Sequence, residues 1–125
     1  MMIHTTEVNC EKIAWLDSGE PVIRDAQSAL DRMMTARYET GCSRFAVSKT
    51  AFAEDFFILS TGLAGEILQK LINYRMKIAI WGDFSGYTSR PLRDFMFESN
   101  NGNDVFFVPT KDEAIERLSR AEERR

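Results

Sequence analysis

The sequence predicts a single α/β domain on a mixed sheet of about five strands, with an N-terminal hairpin and four helices. Three observations carry that prediction. Segments whose apolar residues recur at helical spacing alternate with short apolar runs suited to strands, the pattern of crossover connections and parallel pairing. The run from Lys77 to Gly82 is continuously apolar after its first residue, as in a strand covered by helices on both faces. The chain has 125 residues, 44% hydrophobic and 28% charged, enough to bury one core. No linker or internal repeat divides residues 1–125.

The elements follow in order. Ile3 to Val8 and Ile13 to Leu16 read as two strands of a hairpin, joined through Asn9-Cys10-Glu11, where asparagine tolerates the positive φ of a tight turn. Helix one runs from near Asp25, its N-cap, to about Glu39, with Gly41 as the stop. Arg44 to Thr50 reads as a short strand, and Ala53 to Phe57 as one helical turn presenting Phe56 and Phe57 to the core. Helix two spans about Thr61 to Tyr74, with Leu63, Ile67, Leu68, Leu71 and Ile72 on one stripe. It feeds the strand that begins at Lys77. Ser89 and Pro91 announce helix three, Asn100 to Asn103 break it, and Val105 to Val108 form the last strand. Thr110 and Glu113 have capping-box spacing for the final helix, and the tail from Ala121 is expected to fray.

Charge and composition exclude several classes. Sixteen basic and 19 acidic residues leave a net charge of −3, and no basic stripe offers a nucleic-acid footprint. No apolar run approaches membrane-spanning length and the N-terminus has no signal-like stretch, so a cytoplasmic protein with reduced thiols is expected. The single histidine, His4, lies near a terminus, so neither a catalytic triad nor a multi-histidine metal site is expected. Cys10 and Cys42 are read as packing residues. Glu54 and Asp55 are neighbours that point apart, not an acid/base pair. With no nucleophile–base pair or ligand set in view, no catalytic residue, metal or cofactor is assigned, and a non-enzymatic role is favoured.

In open α/β sheets ligands gather beyond the carboxyl ends of the parallel strands. Two groups of residues should collect there. The first is Ser60-Thr61-Gly62, opening helix two. Here a hydroxyl either caps the helix while Gly62 and Gly65 let it approach the sheet, or carries a phosphate favoured by the helix N-terminus. The second is Asp83, Ser85, Arg90 and Arg93, with Tyr87 as a lid over a small anionic or lipid-like ligand. The plain alternative for that group is solvated caps and surface pairs. Phe106 and Phe107 are adjacent in a strand and must face opposite ways, each needing cover from a helix or a partner chain, which makes a homodimer one solution.

The stretch LSTGLAGEILQKLINYRMKIAIWGDF resembles the second half of a STAS domain, the module of anti-sigma-factor antagonists. There a D-S-S-G-L-G-x-L motif opens a helix leading into a strand that ends in glycine. The resemblance implies that Thr61 takes the place of the phosphorylated serine, Ser60 the serine before it and Gly62 the glycine, with a kinase or anti-sigma-like regulator as protein partner. Leu59 replaces the motif's aspartate and threonine its serine. The longer string TGLAGEILQKLINYRMKIAIWGDFSGYTSRPLRDFMFESNNG, with DAQSALD in helix one, resembles a family of small bacterial proteins known as domain of unknown function 4180. That likeness covers nearly the whole chain and implies fold and bacterial origin without an activity. The expected function is therefore a regulatory, protein-interacting module, with a small-ligand binder as the alternative.

Overall fold

The computed structural model describes residues 3–122. Strands β1 (His4–Val8) and β2 (Glu11–Leu16) form an antiparallel hairpin. Its turn residues Asn9 and Cys10 take φ of 53° and 67°, the two positive values that a tight two-residue hairpin requires. Helix α1 (Ala26–Thr40), strand β3 (Arg44–Ser48), helix α2 (Leu63–Asn73), strand β4 (Lys77–Trp81), helix α3 (Arg90–Asn100), strand β5 (Val105–Val108) and helix α4 (Lys111–Arg120) follow. The sheet order is β1-β2-β3-β4-β5, and every pair after the hairpin is parallel.

That sequential order decides the layers. Each parallel crossover steps the same way across the sheet, so right-handed connections send α1, α2 and α3 to one face. Met33, Ile67, Leu71 and Leu92 from these helices meet Phe45, Val47, Ile78, Ile80 and Phe107 there. Helix α4 covers the other face, where Ile115 and Leu118 meet Ile13, Ala46, Ala79 and Phe106. Each fully buried side chain of the Ile or Phe class contributes roughly 1.5–3 kcal/mol. Phe106 and Phe107 do point to opposite faces, and both are covered by the chain itself. The Arg117 guanidinium lies 4.4 Å over the Phe106 ring, and Phe84 and Phe95 stand edge-on to Phe107. No partner chain is needed to bury either.

The caps work as their residues suggest. Asp25 accepts from the Ser28 amide at 2.7 Å while the Ser28 hydroxyl accepts from the Asp25 amide at 3.0 Å; donation to the carboxylate from Ser28, its amide first and then its side chain, holds the Asp25 carboxyl below its ordinary range. Gly41, at φ 75°, ends α1. Ser89 and Thr110 cap α3 and α4.

Several expectations need correction. Helix α2 starts at Leu63 rather than Thr61, because Leu59–Thr61 winds into a 3₁₀ turn and Gly62, at φ 77°, separates the two. The third strand stops at Ser48, and Lys49–Ala51 forms a 3₁₀ turn. Cys42 is buried, but Cys10 sits exposed in the hairpin turn and does not pack. His4 is a strand residue whose ring stacks on Trp15 at 4.2 Å. Of the tail, Ala121 is buried against α4 and its sheet face, while residues 123–125 lie outside the described residues.

Candidate functional site

The carboxyl ends of β3 and β4 carry two neighbouring structures. The first is built from the 3₁₀ turns Glu54–Phe57 and Leu59–Thr61 and the start of α2. Phe56 and Phe57 anchor it, buried and packed edge-to-face 4.9 Å apart. Above them, Ser60, Thr61 and Gly62 are exposed. The Thr61 hydroxyl donates toward the carbonyls of Ile58 and Asp55, at 2.9 and 3.0 Å, and accepts from the Leu63 amide at 3.2 Å. One side chain thus ties both 3₁₀ turns to the first turn of α2.

Gly62 is required by its left-handed backbone. Gly65 is not, and the expectation that it lets α2 approach the sheet fails. It is exposed, and a Cβ built there meets no heavy atom within 4 Å. Ala64 and Ile67 make the contact with the core instead. Ile58 stands beside this surface, 49% exposed. From Thr50 to Gln69 the chain holds three carboxylates, Glu54, Asp55 and Glu66, and no lysine or arginine. All three acids are exposed.

The second structure is the loop from Gly82 to Thr88, folded back over the strand ends. Tyr87 stacks on Phe57 at 5.2 Å, and the Lys49 ammonium lies 4.6 Å from the Tyr87 ring centre while donating to the Asp83 carbonyl at 2.9 Å. Burial, and then the Glu54 carboxylate 3.3 Å away, push the Tyr87 phenol up to about 12. Asp83 accepts from the Ser85 hydroxyl at 2.6 Å and its amide at 2.9 Å, and these bonds hold the carboxyl below its ordinary range. Lys49 passes so close that a Cβ on Gly82 would fall 2.7 Å from Lys49 Cβ.

Tyr87 therefore closes on the protein's own aromatics. A groove of about 430 Å³ remains beside it, lined by Gly82 to Ser85 and by Phe107 to Pro109. Asp83 is the one charged residue of that lining. Arg90 and Arg93 are exposed on α3 outside that lining, and Arg90 pairs with Asp94 at 3.8 Å along its own helix. The groove thus lacks the cations an anionic ligand would need. Asp83 and Ser85 are brought together, Tyr87 is turned inward, and the two arginines stand apart.

Sequence reading puts Lys49 at the same strand-end edge as Asp83 and Tyr87, but misses its contacts with them. Its place after a strand was visible, but its partner lies 34 residues away. It also missed that Gly65 faces outward. Among the described residues no helix is long and apolar enough to cross a membrane. No curated protein and no solved structure shows significant similarity to the chain. A family model does match, across residues 8–118, which is nearly the whole of the fold just described; the chain belongs to the DUF4180 family, a domain of unknown function.

Proposed function

We propose that this protein is a regulatory module that docks a protein partner on the surface formed by Ile58, Ser60-Thr61-Gly62 and the first turns of α2. The observation that carries this reading is Gly65. A glycine inside a helix costs on the order of 1 kcal/mol relative to alanine, and no contact within the chain accounts for it. Bare backbone on an exposed helical turn suits close approach by another molecule. Exposed Ile58 supplies an apolar contact, and Glu54, Asp55 and Glu66 select a partner with basic side chains, such as a kinase or anti-sigma-like regulator.

Phosphorylation of Thr61 is the proposed switch. It removes the proton shared by the carbonyls of Asp55 and Ile58 and adds close to two negative charges beside three carboxylates. The double turn should open and the partner leave. The test pairs phosphopeptide mapping of protein from its native host with partner capture by wild type, Thr61→Ala, Thr61→Glu and Gly65→Arg. A partner held by wild type and lost with Thr61→Glu and Gly65→Arg supports the reading; capture indifferent to all three substitutions rejects it. Gly65→Ala should raise stability by about 1 kcal/mol in urea melts while weakening capture.

A further inference from the structure

The two edges of the sheet are treated differently by the sequence. Among the described residues strand β5 pairs only with β4, yet its outer edge is guarded at Phe107: the Asn100 carboxamide accepts from the Phe107 amide at 2.7 Å and donates to the Phe107 carbonyl at 3.0 Å. One side chain there takes the place of a neighbouring strand's backbone. Strand β1, at the opposite edge, pairs only with β2, and no described residue pairs with its outer side. Edge strands normally carry a guard such as lysine, proline or a bulge. Ile3 to Val8 holds no lysine, arginine, proline or glycine, its one acidic residue is Glu7, and its register with β2 runs unbroken from His4↔Trp15 to Val8↔Glu11.

The geometry points to β1 as a dimerisation edge that takes β1 of a second copy of this chain, antiparallel and centred on Thr6. Strand alternation puts His4, Thr6 and Val8 on the α4 side, where His4 stacks on Trp15 and where Thr6 and Val8 line a groove of about 440 Å³ beside α4. Thr5 and Glu7 face the α1 side, as does Ile3, which lines a groove of about 250 Å³. Neither α1 nor α4 fills the space next to β1, so both faces of an added strand have room.

The register follows from self-complementarity. With Thr6 on the two-fold axis, Thr6 meets Thr6, His4 meets Val8 and Thr5 meets Glu7, so no like charges lie opposite and each pair holds at least one β-branched residue. The second copy's His4 then lies beside the groove lined by Asp112, Glu116 and Arg120, and its Glu7 beside the groove lined by Asp31, Arg32 and Glu39. An isologous pair of this kind joins two five-stranded sheets into one and closes after two copies. The docking surface at α2 is not involved.

Sedimentation velocity at micromolar concentrations tests the assignment. Wild type should be a dimer. Thr6→Lys alone and Thr6→Glu alone each put like charges face to face on the axis and should raise the dimer dissociation constant roughly tenfold or more. Mixing the two variants in equal amounts should restore a dimer, because lysine then faces glutamate. Circular dichroism establishes that each variant is folded. Should either fail to fold, Thr6→Cys in a Cys10→Ser background should form an intermolecular disulfide on oxidation. A monomeric wild type, a dimer unmoved by both charges, folded variants that do not recover on mixing, or a Thr6→Cys protein that stays unlinked would each overturn the proposal.

Discussion

The amino and carboxyl ends of the parallel strands are held by opposite means. At the amino end, charges are buried. Arg44, 4% exposed, donates to the Leu118 and Ala121 carbonyls at the end of α4, and its guanidinium lies 3.6 Å from the Glu11 carboxylate. Lys77, also 4% exposed, pairs with Asp104 at 3.1 Å and donates to the Asn103 carbonyl at 2.8 Å. These two cations fasten α4 and the loop before β5 to the strand starts. At the carboxyl end the fastenings are aromatic stacks, one lysine over a ring, and hydrogen bonds among exposed groups. A change at the first end takes a partner from a buried charge; a change at the second leaves groups that water can satisfy. The fold can therefore vary its carboxyl-end loops at small cost, and that is where the exposed hydroxyls and the outward glycine lie.

The largest break in this contrast should come from Lys77→Met, which keeps the stem's volume and strands Asp104 without its ammonium. Loss of one partner of a buried pair typically costs about 3–5 kcal/mol, read as a lower urea midpoint. The double substitution Lys77→Met with Asp104→Leu should recover much of that loss, because the carboxylate is then removed together with the ammonium that offsets its burial. A loss under about 1 kcal/mol for the single change would put the pair in the class of exposed ion pairs and erase the contrast. Gly82→Ala probes the other end. Its methyl meets Lys49 Cβ at 2.7 Å, so Lys49 must move and release the Asp83 carbonyl. Overpacking of this kind costs about 1–3 kcal/mol, with the Arg44 and Lys77 contacts at the amino end undisturbed.

What could be read from the residues follows the same division. The hairpin, the Asp25 and Ser89 caps, the stripe of α2 and the limits of β5 are local signals: a turn pair, a capping hydroxyl, a repeat of three and four. They came through with shifts of a residue or two. The exposure of Thr61 agrees with its reading as a hydroxyl at the opening of helix two, although it sits in the 3₁₀ turn just before that helix. Lys77 read as the flank of an apolar strand gave no hint of Asp104, 27 residues on. Likewise Arg93 and Asp83 looked like one cluster by their spacing, but the loop turns Tyr87 inward and α3 carries the arginines away. Long-range pairing and the direction of a loop depend on the packed whole, and a helical glycine looks alike in sequence whether it faces the sheet or the solvent.

The smallest effect sharpens the comparison through pH. The Tyr87 phenol, ordinarily near 10, is pushed up to about 12 in the folded protein by burial and the Glu54 carboxylate. Between those values the unfolded chain releases this proton and the folded chain keeps it, so stability falls as pH rises from about 10 to about 12 and this contribution levels off above. Tyr87→Phe keeps the stacking on Phe57 and removes both the titration and the 3.3 Å bond to Glu54. At neutral pH it should cost less than about 1 kcal/mol, as befits a long hydrogen bond at a partly exposed site. In alkaline urea melts the variant should lose stability less steeply than wild type across that window. Parallel curves for the two proteins would mean that the phenol is open to water, and that the carboxyl-end loop is looser than its ring stacking implies.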